Sequence, residues 1–280
     1  MTQAPAGQPA DPADTTRLRR TSMQDALHAE WTKARTLPGT GWLLLATVAL
    51  TVIVSAAVTA AVRCPSGHCA EDPARISLTG IYAGQAVIAI VAVLAVTSEY
   101  SSGMIRLTLA ATPRRATVLA AKAAVLTGPV LVAATAAVLG SLLAGRLILP
   151  GRGIGPAHGY PDLSLASGPV LRAAGGSVLY LALIALLSLG IAAAVRDGAA
   201  AIGIVLGLLY LFPVLGLAAG SSTWHRHLEQ LAPMTAGLAI QSTTDLQSLP
   251  INPWAGLGVL ACWAAAALLA GGTLLRLRDA

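Results

Sequence analysis

With 280 residues, 55% of them hydrophobic, only 11% charged and a mean hydropathy of +0.72, the chain has too few charges to clothe a soluble globule. This composition predicts an all-α integral membrane protein. The formal net charge of +6 would suit nucleic acid in a soluble domain, but here the positive residues cluster beside apolar segments, as membrane topology requires, and no nucleic-acid partner is expected.

Residues 1–21, rich in Pro, Ala, Thr and Asp, lack the apolar core of a signal peptide and are expected to be a disordered cytoplasmic tail. Residues 22–38 follow as an amphipathic interfacial helix. At about 100° per residue, Met23, Ala26, Leu27, Trp31, Ala34 and Leu37 gather on one face. Asp25, His28, Thr32 and Arg35 fall opposite, and Trp31 suits the headgroup level. Ser22 or Thr21 can cap the start, and Pro38-Gly39 turns the chain toward the bilayer. Glu30 breaks the apolar face. It either snorkels or pairs with Lys33, or it meets a basic group of a later loop or of a partner.

Residues 39–280 read as one transmembrane domain. A span needs about 20 apolar residues, and six windows qualify: 41–62, 76–97, 123–143, 175–195, 199–219 and 254–275. With the N-terminus inside, the inner segments hold twelve Lys and Arg against six in the outer ones, so both termini are expected in the cytoplasm, with the chain crossing the cell membrane repeatedly.

The first outer loop contains Cys64-Pro-Ser-Gly-His-Cys69. Two cysteines so close on the oxidising side suggest a small disulfide loop; free thiols, or a metal site with His68 that lacks an obvious fourth ligand, are the alternatives. Cys262 reads as a packing residue. Gly203 and Gly207, four apart in the fifth window, read as helix packing rather than as a dimer signature. Arg196-Asp197-Gly198 makes a tight inner turn. Residues 220–253 mix helical spacing with three prolines and read as short helices dipping into the outer leaflet. Within them His225, His227 and Glu229 suit an interfacial belt beside Trp224 and Arg226 better than a metal site.

The stretch from Thr97 to Lys122 stands out. It lies between two apolar windows, yet carries Glu99, Arg106, Arg114, Arg115 and Lys122, so it must turn in water. Gly103 and Pro113 leave room for one short cytoplasmic helix of about two turns between spans two and three. Elsewhere the chemistry is sparse. The chain has no GxxxxGK[ST] phosphate loop and no HExxH, and none of the six windows contains Asp, Glu, Lys or Arg. A non-catalytic membrane subunit is expected, with no metal and no cofactor bound by this chain.

Several short motifs, taken in order, resemble the permease subunit of a type-2 ABC exporter of the actinobacterial kind. They are Glu30-Trp31-Thr32-Lys33 with Arg35-Thr36, then Thr97-Ser98-Glu99-Tyr100-Ser101-Ser102-Gly103, Ile105-Arg106, Pro113-Arg114-Arg115 and Lys122, and finally the Pro-rich approach to span six and the Arg276-Leu277-Arg278-Asp279 terminus. The resemblance implies a six-helix domain that pairs with a second copy or a sibling permease and docks on two separate ATP-binding subunits, where the ATP is held and hydrolysed. It also implies that the interfacial helix and the loop after span two contact the ATPase. Carried over, Glu30, Glu99, Arg106, Arg114 and Arg115 are the candidates for coupling; the alternative is that the arginines only set topology. An autonomous secondary carrier or channel is the competing expectation for function. The Cys64 and Cys69 loop is no part of the resemblance.

Overall fold

The computed structural model describes residues 27, 28, 32, 38–64, 72–101, 103, 115–218 and 222–277. Its long helices are α1 (Pro38–Ala61), α3 (Ile81–Ser101), α4 (Arg115–Ile148), α5 (Gly168–Val195), α6 (Gly198–Ala218) and α9 (Pro253–Leu277). Shorter ones are α2 (Pro73–Ser77), α7 (Ser222–Leu231) and α8 (Pro233–Leu238). The described residues contain no strand. Six helices are long and apolar enough to cross a membrane, as expected of an all-α integral membrane protein. Of the interfacial helix, Leu27, His28 and Thr32 are helical, and the Thr32 hydroxyl donates to the His28 carbonyl at 2.8 Å. Glu30 and Trp31 lie outside the described residues.

α4, α5 and α9 overrun their apolar windows, whereas α3 is shifted along its window, starting at Ile81 rather than 76 because Pro73–Ser77 forms a separate short helix, and ending at Ser101. α4 has 34 residues, about 51 Å of helix against a hydrocarbon core of about 30 Å. It starts at Arg115, well before the window at 123–143, because hydropathy marks the lipid boundary and not the point where backbone hydrogen bonding stops. Pro129 in α4 and Pro213 in α6 are accommodated without ending either helix.

α5 is the axis of the fold. It packs against α3, α4, α6 and α9, and 61% of its most apolar window is buried, against 17% for α6 and 22% for α1 and α9. Exposed apolar surface is therefore concentrated on α1, α6 and α9. Close approach around α5 depends on glycine: a Cβ at Gly190 would stand 2.5 Å from the Ala267 carbonyl carbon of α9, and one at Gly271 would stand 2.6 Å from the Gly190 carbonyl oxygen.

A second close seam joins α1 to α3 and α4. Thr47, Thr51, Ser55 and Thr59 recur every fourth residue and are fully buried. Three of these hydroxyls return to carbonyls of their own helix, Thr47 to Leu43, Thr51 to Thr47 and Thr59 to Ser55. Ser55 instead accepts the Gly80 N–H at 3.0 Å, which satisfies a donor just before α3 begins. A side chain at Gly80 would overlap the Thr51 carbonyl, and one at Gly84 the Thr51 hydroxyl. By contrast, nothing lies within 4 Å of a Cβ built at Gly203 or Gly207. The pair expected to serve packing makes no close contact among the described residues, since α6 turns a different face, that of Ala201, Val205 and Leu209, to its neighbours.

The helix ends define two layers. The proximal end carries Pro38, the last turn of α3, the first turn of α4, the α5–α6 turn and Leu277; the distal end carries the end of α1 with α2, and the described segments between α4 and α5 and before α9. Distally, the segment before α9 forms α7, α8 and a 3-10 turn at Ala239–Gln241, matching the expectation of short helices. α8 is buried against α5 and α9.

Candidate functional site

The described charged residues of the 97–122 stretch do not scatter into solvent. α3 runs on past Thr97 and ends at Ser101, and Gly103, at φ 70°, donates its N–H to the Tyr100 carbonyl at 3.2 Å. A left-handed glycine here closes the helix end, so Gly103 terminates α3 rather than merely loosening it. Glu99 consequently sits in the last turn of α3, and Lys122 lies about two turns into α4.

These two side chains meet. Lys122 Nζ donates to Glu99 Oε1 at 2.9 Å, and the side chains are only 9% and 6% exposed, respectively. An ion pair this buried is held by its mutual partners, because either charge alone would be expensive to remove from water. It fastens the end of α3 to the beginning of α4, the two helices that flank residues 102–114 in the sequence.

Arg196 extends this cluster. It is the C-cap of α5 with φ 66°, a left-handed conformation uncommon for a residue with a side chain, and its N–H bonds to the Ala192 carbonyl at 2.9 Å. Its guanidinium reaches the Leu274 carbonyl at 3.4 Å in the last turn of α9 and lies 5.6 Å from the Tyr100 ring centroid. Asp197 then caps α6, accepting the Ala200 N–H at 2.8 Å. The Arg196-Asp197-Gly198 turn is thus as tight as expected, and it also ties α5, α9 and α3 together. Thr97 lies in the same layer, against Gly198.

Of the coupling candidates, Glu99 is placed by the structure in this cluster. Glu30, Arg106 and Arg114 lie outside the described residues, as does the short coupling helix expected between spans two and three; Arg115 opens α4, with its side chain outside the described set. Sequence reasoning did not single out Lys122 as the partner of Glu99, nor Tyr100 and Arg196 as members of the cluster. The available signal was symmetry: Glu99 follows its apolar window by two residues and Lys122 immediately precedes the next, which places them at matching depth in an antiparallel pair.

The distal end holds a second polar centre that the sequence did not reveal. Asp72 caps α2 by accepting the N–H groups of Ala74 at 3.0 Å and Arg75 at 3.3 Å. The same carboxylate accepts the Thr243 N–H, the Thr243 hydroxyl at 2.7 Å and the Thr244 N–H at 3.1 Å. Arg172 of α5 donates to the Ser242 carbonyl at 2.6 Å, and Gln241 to the Ser177 hydroxyl at 3.3 Å. Nearby, Tyr180 donates to Gln85, whose amide reaches the Met234 sulfur at 3.3 Å, and Tyr210 donates to the Tyr82 carbonyl. Residues 241–244 are therefore stitched to α2 and α5.

Cys64 is disulfide-bonded, while Cys262 is free; Cys69, the partner expected from the short loop, lies outside the described residues. The Cys64 N–H donates to the Arg152 carbonyl at 3.0 Å and its sulfur lies 3.5 Å from the Tyr160 hydroxyl, so the cysteine is built into the distal connections. His227 is exposed and Glu229 half-buried in α7, where the side chains of Trp224, His225 and Arg226 are outside the described set. Compared with known proteins, the chain matches no family model and no curated protein.

Proposed function

We propose that this chain is the membrane-spanning permease subunit of an ABC exporter, working with a separate ATPase and with a second permease chain. The observation that carries the reading is the buried Glu99–Lys122 pair. A force applied to residues 102–114 would reach α3 and α4 together, because the pair joins their ends. α3 and α4 both pack on the axial helix α5, so such a displacement would be passed to the core of the bundle. The Lys and Arg distribution supports a cytoplasmic placement of this end, and the motif series that includes Glu99, Arg114, Arg115 and Lys122 supplies the analogy. Alternating access would then be a change of packing between helices, with no covalent chemistry in this chain.

The test is co-purification. The full chain, solubilised in mild detergent from its native membrane, is compared with the Arg114→Glu/Arg115→Glu variant for a bound ATPase. Recovery with the wild type and loss with the variant are expected. Recovery with both would remove these arginines from the interface and keep the exporter. Absence of an ATPase after crosslinking, together with transport driven by an ion gradient alone, would replace the exporter with an autonomous carrier.

A further inference from the structure

A cleft of about 450 Å³ opens at the distal end between the last turn of α1, α2 and residues 242–249. This lies inside the span of roughly 300–1,000 Å³ usual for small-ligand sites. Its exposed charges are one of each sign, Arg75 on α2 and Asp245 on the 242–249 segment. Neither is in an ion pair among the described residues. Asp72 also lines the cleft, but its carboxylate is turned to other work, accepting five hydrogen bonds from α2 and from Thr243 and Thr244 and forming no ion pair with Arg75. Asp245 is held in place by its backbone: its φ is 48°, and its carbonyl accepts the Ser248 hydroxyl at 2.8 Å.

The inner wall is different in kind. Val58 and Val62 come from the end of α1, where the apolar span runs out at Ala61, and Ile53, Ala57 and Ala61 form an exposed row at helical spacing on the same helix. The cleft therefore joins two opposite charges, neither of them in an ion pair among the described residues, to an apolar edge at the end of a membrane-spanning helix. We propose that it binds a zwitterionic phosphoryl-ammonium group, with the phosphate on Arg75 and the ammonium on Asp245. A guanidinium and a carboxylate held apart recognise such a group by both signs at once, while a purely anionic headgroup would meet Asp245 unfavourably. The source that fits the apolar edge is an aminophospholipid whose acyl chains lie along α1; a free phosphoryl amine would share the headgroup chemistry. This inference does not depend on the exporter reading.

Native mass spectrometry of the delipidated, detergent-purified chain tests it, with phosphatidylethanolamine and phosphatidylglycerol added separately and free phosphoethanolamine as competitor. The wild type should retain phosphatidylethanolamine in preference to phosphatidylglycerol. Arg75→Gln and Asp245→Asn should each weaken that retention about tenfold, the change expected when one charge contact of about 1.4 kcal/mol is lost. Because neither charged group is in an ion pair among the described residues, both variants should fold, and Ser248→Trp provides an independent block by filling the cleft. Retention of free phosphoethanolamine with the same variant pattern and no lipid preference would support the zwitterion site with a soluble source. Equal retention of both lipids without capture of phosphoethanolamine, or retention unchanged in all three variants, would overturn the proposal.

Discussion

The two ends of this bundle are held together by different physics. At the proximal end, one buried ion pair and one arginine join four helices through side chains. At the distal end, a single carboxylate and its neighbours hold a connecting segment largely through backbone N–H and carbonyl groups. A charge pair constrains distance but leaves the attached helices rigid and able to move as one body. A carboxylate threaded into several backbone donors fixes the conformation of the segment itself, since each bond is directional. The proximal end is suited to passing on a displacement and the distal end to holding a shape.

The sharpest way to break this contrast is at Glu99. Glu99→Ala leaves Lys122 buried without its ion-pair partner and is expected to cost about 3–5 kcal/mol, seen as a large fall in thermal stability in detergent, whereas Glu99→Leu with Lys122→Met should restore most of it. A double variant that stays stable yet no longer stimulates ATP hydrolysis by the proposed partner would separate the proposed coupling role of the charges from their structural one. Asp72→Ala should cost less, about 2–3 kcal/mol, because water can reach the half-buried site and replace part of what is lost. Its signature would be local: a cysteine placed at Thr244 should become more reactive toward a membrane-impermeant maleimide, while one at Leu274 should not. Arg196→Gln is the mildest, about 1 kcal/mol or less, since the position is half-buried and the bond to the Leu274 carbonyl is long. If Arg196→Gln instead matched Glu99→Ala, the proximal cluster would be one cooperative network rather than a dominant pair.

The six spans were legible because each consists of enough consecutive apolar residues to answer the bilayer, and the turn at Arg196-Asp197-Gly198 was legible because so few residues separate two windows. What remained hidden depended on partners distant in sequence. Asp72 and Thr243 are 171 residues apart, and nothing local distinguishes this aspartate from others in loops. Glu99 and Lys122 are separated by 23 residues and become a pair only once α3 and α4 are laid antiparallel. The glycines show the same limit from the other side. Gly203 and Gly207 have a recognisable spacing yet leave open space where a Cβ would stand, while Gly80, Gly84 and Gly190 have backbone or hydroxyl groups pressed against them. Spacing describes one helix, and close approach is a property of two.

The position of α5 has a consequence for how the chain is made. The helix on which α3, α4, α6 and α9 pack is the fourth span to be synthesised, so the second and third spans leave the ribosome before their shared support exists. They need not wait as separate rods in the bilayer. The Ser55–Gly80 hydrogen bond joins the first to the second, and the Glu99–Lys122 pair joins the second to the third, both using residues made before Gly168. The early half of the protein thus carries its own fastenings, and the arrival of α5 completes an assembly whose first three members are already aligned.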